Sequence, residues 1–117
     1  RYLGNDENPY VILVSGTEWN ITSCDIHPDT KVIYTSAFRF YDNLTSITIP
    51  DGVVFIDDCA FCGCDNLKEI YCKALTPPSI NCYYNNFHDD MVIYVPKGTQ
   101  ETYREDCQLF ENVVEIF

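Results

Sequence analysis

Residues 37–49, AFRFYDNLTSITI, and residues 60–72, AFCGCDNLKEIYC, match at six of thirteen positions with an offset of 23. That offset is a repeat length. Carried along the chain, it places Cys24, Ile47, Ile70 and Ile93 in one column and Ile26, Ile49, Cys72 and Val95 in another. Both columns are apolar throughout. A third column, Ile21, Leu44 and Leu67, holds for three turns and then meets Asp90. Upstream, VIYTSAF at 32–38 and FIDDCAF at 55–61 repeat as well, each setting Ile33 or Ile56 ahead of an Ala-Phe pair.

Within each unit the Leu, Ile and Ile at relative positions 0, 3 and 5 point inward from a loop and a short strand, and period-2 alternation fixes that strand. One such unit cannot bury its apolar side alone, but stacked units pair their strands and pile Leu on Leu and Ile on Ile. The sequence therefore predicts a β-dominated solenoid of short parallel strands with a 23-residue period. Asp42 and Asn43, like Asp65 and Asn66, sit where side chains that bond nearby backbone favour a turn into the strand. Pro50, Asp51 and Gly52 close it. Ala37 and Ala60 mark places where the chain runs too near its neighbour for a larger side chain, and Phe38 and Phe61 fill the opposite wall.

Open ends of a solenoid expose strand edges unless something covers them. At the start, residues 8–16, NPYVILVSG, read as a capping strand off the repeat pattern, followed by a turn around Thr17 to Asn20, with Trp19 folded over the first repeat. At the finish, residues 95–110 leave the repeat and read as a helix beginning after Gly98. Thr99 is its N-cap, and Tyr103, Cys107 and Phe110 share one face at i, i+4 and i+7. Residues 112–117, NVVEIF, then return as a last strand beside Ile93 to Val95, with Ile116 one period beyond Ile93. The chain is thus one domain over 1–117, with an N-terminal cap at 1–22, repeats at 23–82, and a last strand with C-terminal cap at 83–117.

A length of 117 residues with 46% hydrophobic content suits one compact unit. The formal net charge of −11 repels phosphate backbones and anionic lipid surfaces, so nucleic acid is not an expected partner. No apolar run approaches the ~20 residues of a spanning helix, and no membrane insertion is expected in this segment. The chain opens at Arg1 without Met or an apolar leader, which reads as a processed or truncated piece, so any export signal would lie outside it.

Seven cysteines leave at least one thiol unpaired. Three readings stay open: buried thiols acting as small hydrophobes, a disulfide, and a zinc site at Cys59, Cys62 and Cys64 with His88 or Cys82 as fourth ligand. The zinc spacing is poor because only those three cysteines are close, and no metal is assigned. The gap from Cys59 to Cys62 also spells a redox motif. That chemistry wants a strand before the pair and a helix starting at the first Cys, and the surrounding residues suggest neither.

The pattern AFxxCxxLxxIxIP, with the intervening DGVVFIDDCAF, resembles the BspA-like leucine-rich repeats of bacterial surface proteins. The segments LGNDENPYVILV and MVIYVPKGTQETYREDCQLFENVVEIF look like the flanks often attached to such repeats, so the resemblance covers nearly the whole chain. Tyr41 departs from the pattern where it has Cys, a residue Cys64 supplies one unit later. The resemblance implies a leucine-rich-repeat solenoid, a location outside the cell or on its surface, and adhesion to a protein or glycan on a host or bacterial surface. It implies no catalysis and no cofactor.

If Ile47 and Ile49 point inward, Ser46 and Thr48 point to the other, concave side. The equivalent columns read Asp25, Thr48, Tyr71, Tyr94 and Ser23, Ser46, Glu69, Val92. Asp25, Thr48, Tyr71, Tyr94, Ser46 and Glu69 are the candidate binding residues, with the two tyrosines as anchors because they offer rigid area and a polar tip. A structural alternative is that the tyrosines pair across strands to stabilise the sheet. A second functional reading makes the chain a spacer or the capping end of a longer repeat array. His27 takes the turn slot of Pro50 one unit later, and His88, Asp89 and Asp90 read as a solvated loop. Asp57 and Asp58 fall in a connection with no cleft between facing acids.

Overall fold

The computed structural model describes residues 1–16, 18, 20–80, 91–106 and 112–116. The expectations attached to Trp19, Cys82, His88, Asp89, Asp90, Cys107 and Phe110 lie outside the described residues. Two ladders of strands run the length of a solenoid of about four turns. The long ladder contains β3 (Ser23–Asp25), β5 (Ser46–Ile49), β7 (Glu69–Cys72), β9 (Val92–Val95) and β10 (Val113–Glu115), all paired in parallel. The short ladder contains β1 (Tyr2–Leu3), β2 (Ile12–Leu13), β4 (Val32–Ile33), β6 (Phe55–Ile56) and β8 (Ser79–Ile80).

The register of the long ladder is the 23-residue offset itself. Ile47 pairs with Ile70, Thr48 with Tyr71 and Ile49 with Cys72, and the same columns continue to Cys24 on one side and Ile93 on the other. Alternate residues of β5, β7 and β9 are buried and half-buried, as period 2 requires when one face meets a core. Leu44 and Leu67 enter that core from the preceding turns. Ile33 and Ile56 reach it from the short ladder, and Phe38 stacks on Phe61 with centroids 5.7 Å apart. The Ala37 and Ala60 positions are enclosed, and the carbonyl of Ala60 accepts the N–H of Phe38 at 2.8 Å, which joins the two coils beside them.

The turns repeat as faithfully as the strands. Val53 N–H donates to Pro50 C=O, and one coil earlier Thr30 N–H donates to His27 C=O. His27 is therefore the turn residue its alignment with Pro50 suggested. Its ring stacks on Tyr10 at 3.5 Å between centroids, and its backbone N–H donates to the Tyr2 hydroxyl. The Asn66 amide donates to the carbonyl of Asp42 in the neighbouring coil at 2.6 Å, so it ties coils together where a local bond was expected.

Three expectations about the ends change. The strand expected in residues 8–16 is present and off the 23-residue period, since Leu13 pairs with Ile33 at an offset of 20, but it is shorter than expected. Only β2 is extended there, and it pairs in parallel with β4, Leu13 beside Ile33, as the first rung of the short ladder. The antiparallel cover is β1, which pairs with β2. Alternation cannot announce strands two residues long, and for that reason the short ladder escaped the sequence.

At the other end, α1 (Gln100–Asp106) starts where expected, with Thr99 at the N-cap position, its C=O accepting from Tyr103 N–H at 3.0 Å, but the Thr99 hydroxyl donates to Pro96 C=O at 2.6 Å. Glu115 supplies the side-chain acceptor, one carboxylate oxygen accepting from Gly98 N–H and Gln100 N–H at 2.8 and 3.0 Å. β10 does lie beside β9, yet Val113 and not Ile116 pairs with Ile93. The register is 20 residues because α1 replaces the connection used by the earlier coils. Ile116 is accordingly 44% exposed while Val113 is buried.

Candidate functional site

The inward columns of the long ladder force the intervening residues onto its outer face, the side expected to be concave. Asp25, Thr48, Tyr71 and Tyr94 are consecutive rungs of one row, and Ser46 beside Glu69 belongs to the row two residues earlier. All six candidates therefore share one surface. Tyr71 and Tyr94 are half-buried and stack with centroids 4.9 Å apart and planes 15° from parallel, the spacing of adjacent strands. The Tyr71 hydroxyl donates to a Glu69 carboxylate oxygen, and that hydrogen bond raises the phenol above its ordinary pKa. The bond orients the ring, so Tyr71 presents a fixed contact surface.

Below Tyr71 the row steps down from two rings to Thr48 and Asp25. The step opens a hollow of about 640 Å³ bounded by Asp25, Thr48, Tyr71, Pro28, Asp51 and Lys73, among others. Three of these rim residues were missed in the sequence. Pro28 and Asp51 align at the 23-residue offset, as do Pro50 and Lys73, so the signal was present in the turn columns. Two carboxylates and one ammonium give the hollow a mixed but predominantly acidic border. It can accept a side chain carrying hydrogen-bond donors or positive charge, with Tyr71 as an apolar wall.

Among the described residues the cysteines are of two kinds. Cys59 and Cys62 are joined in a disulfide, whereas Cys24, Cys64 and Cys72 are free. Burial pushes the Cys64 thiol to about 11 and Cys72 to about 12, and Cys64 Sγ donates to Phe38 C=O at 2.9 Å. These two behave as small core residues. The zinc alternative fails at its three close cysteines, since two are bonded to each other and the third faces a carbonyl. Among the described residues, no three His, Cys, Asp or Glu side chains are grouped to hold a metal ion. No helix among them is long and apolar enough to cross a membrane.

A family model described as BspA type leucine rich repeat region (6 copies) matches residues 16–102, well over half of the chain. The chain belongs to that family. A search of curated proteins found no match. Leucine-rich repeats generally serve protein interaction and are generally non-enzymatic, and the BspA type is typically surface-associated.

Proposed function

We propose that the chain is a non-catalytic protein-binding module, placed at the cell surface or outside the cell, that adheres through the outer face of the long ladder. Tyr71 and Tyr94 are the anchors. Asp25, Thr48, Ser46 and Glu69 supply the polar contacts around them, and the partner is a protein on a host or bacterial surface. The observation that carries this reading is the half-exposed tyrosine stack beside a hollow, a rigid aromatic wall next to an opening that a side chain can fill.

Size sets the expected strength. Five strands ~4.8 Å apart and about four residues long at ~3.3 Å per residue make a plaque of roughly 300 Å². A standard interface buries about 800 Å² per partner. Contact through this face alone is therefore weak, and useful adhesion needs several copies or additional repeats. The same small area favours the reading of the chain as a spacer in a longer array, and the test must separate the two.

The test is capture of mucosal and bacterial surface proteins on immobilised chain, run beside the double variant Tyr71→Ser/Tyr94→Ser. The expected result is that specific captured proteins disappear with the variant while its thermal midpoint stays within a few degrees of the parent. Equal capture by both chains would move the binding surface away from the tyrosines, and no specific capture by either would leave the spacer. Unfolding of the variant would make the stack a structural pair. A glycan array probed with the same two chains shows whether the ligand is a sugar instead.

A further inference from the structure

We propose that Cys59–Cys62 is a thiol–disulfide exchange site, a bond that external thiols open and oxidants close while the coil carrying it stays folded. The residues between the two cysteines, Ala60 and Phe61, are buried at 0% and 1% exposure. That fixes the turn with its inner pair in the core, and both cysteines flank it half-exposed. Their Cα atoms are 4.6 Å apart, within the range a disulfide spans.

The backbone of this turn does not depend on the bond. One coil earlier the equivalent residues are Ser36 and Arg39, which have no sulfur, yet the conformation is the same. Ser36 has φ 58° and Cys59 53°, both left-handed, and four residues later Phe40 has φ 62° and Gly63 77°. Local hydrogen bonds repeat too: Arg39 N–H to Ser36 C=O at 3.1 Å, and Cys62 N–H to Cys59 C=O at 3.2 Å. The N–H groups of Ser36, Phe38 and Phe40 donate to the carbonyls of Asp58, Ala60 and Cys62 at 3.0, 2.8 and 2.9 Å. The coil stack thus holds the two cysteines at bonding distance in either redox state. A ring closed over two intervening residues also restrains the unfolded chain less than longer cross-links do, so its worth as a staple is small.

The exchange is balanced with an external thiol as reductant. A thiolate attacks one sulfur of the pair, forming a mixed disulfide and releasing the other sulfur, which takes a proton from water. A second thiolate attacks the mixed disulfide and expels the first cysteine. Two thiols are oxidised to one disulfide and the cystine is reduced to two thiols. Cys64 and Cys72 do not compete, since they are enclosed in the core and thiolate formation there is suppressed.

The test uses the whole 117-residue chain equilibrated without denaturant in graded mixtures of reduced and oxidised glutathione, then quenched with acid, alkylated and read by peptide mass spectrometry. The expected result is one reversible two-electron transition of the Cys59/Cys62 pair, with unchanged far-ultraviolet circular dichroism and a thermal midpoint within a few degrees in both forms. Cys59→Ser/Cys62→Ser should fold alike and lose that transition. Three results would overturn the proposal: resistance to reduction until the chain is denatured, melting on reduction, or no bond between the two at the most oxidising ratio.

Discussion

Leu67→Ala is expected to lower the thermal midpoint by roughly 10–20 °C. The side chain has 0% exposure and belongs to the hydrophobic core, in the sequence column shared with Leu44. Truncation of an enclosed leucine costs about 2–5 kcal/mol, because transfer energy is lost and a rigid core refills the space only partly. Total stability for a domain of this size is about 6–15 kcal/mol. Each kcal/mol is worth about 4 °C at this length. Leu75→Ala is the control, since Leu75 is 74% exposed and its loss should shift the midpoint by no more than about 2 °C. A change of under a few degrees at Leu67, measured by scanning calorimetry, would remove it from the core.

Tyr103→Ala is expected to release α1 from the body of the solenoid and to lower the midpoint by a similar amount. A seven-residue helix has no independent stability in water, so it exists by docking. Tyr103 does that docking. Its ring is fully buried, and its hydroxyl donates to Ala74 C=O at 2.7 Å, twenty-nine residues away in sequence. Losing a buried aromatic ring costs about 3–5 kcal/mol. Tyr103→Phe keeps the ring and strands the carbonyl, at a cost of about 1–2 kcal/mol. Hydrogen exchange at residues 100–106 reports the outcome: protection lost in the alanine variant and mostly retained in the phenylalanine one. Retained protection in Tyr103→Ala would mean that other contacts hold the helix.

The long ladder was legible because each of its core strands is four residues long and shows alternation, and because its columns repeat the same chemistry at a fixed offset. The outer face followed directly, since the residues between Ile47 and Ile49, or Ile70 and Cys72, have only one other side to occupy. The short ladder was not legible: β4 and β6 show two residues each, and a pair of apolar residues has no period. The last strand was placed correctly but three residues out of register, because a helix inserted between two coils breaks the count that an offset relies on. The rim of the hollow was hidden for a different reason. Pro28, Asp51 and Lys73 look like turn punctuation in the sequence and gain their meaning only when the turns are stacked. The Cys59–Cys62 bond closes over a turn with a left-handed backbone at Cys59 that no residue type there announces.

In β3, β5, β7 and β9, residues 23 apart lie on neighbouring rungs of one parallel ladder. Nuclear Overhauser spectroscopy of the labelled chain tests it most directly. Cross-strand contacts of parallel pattern are expected for Ser46 with Glu69, Ile47 with Ile70, Thr48 with Tyr71 and Ile49 with Cys72. Contacts of antiparallel pattern between these segments, or a register displaced by even one residue, would contradict it, because a single-residue slip turns every core isoleucine to the solvent face.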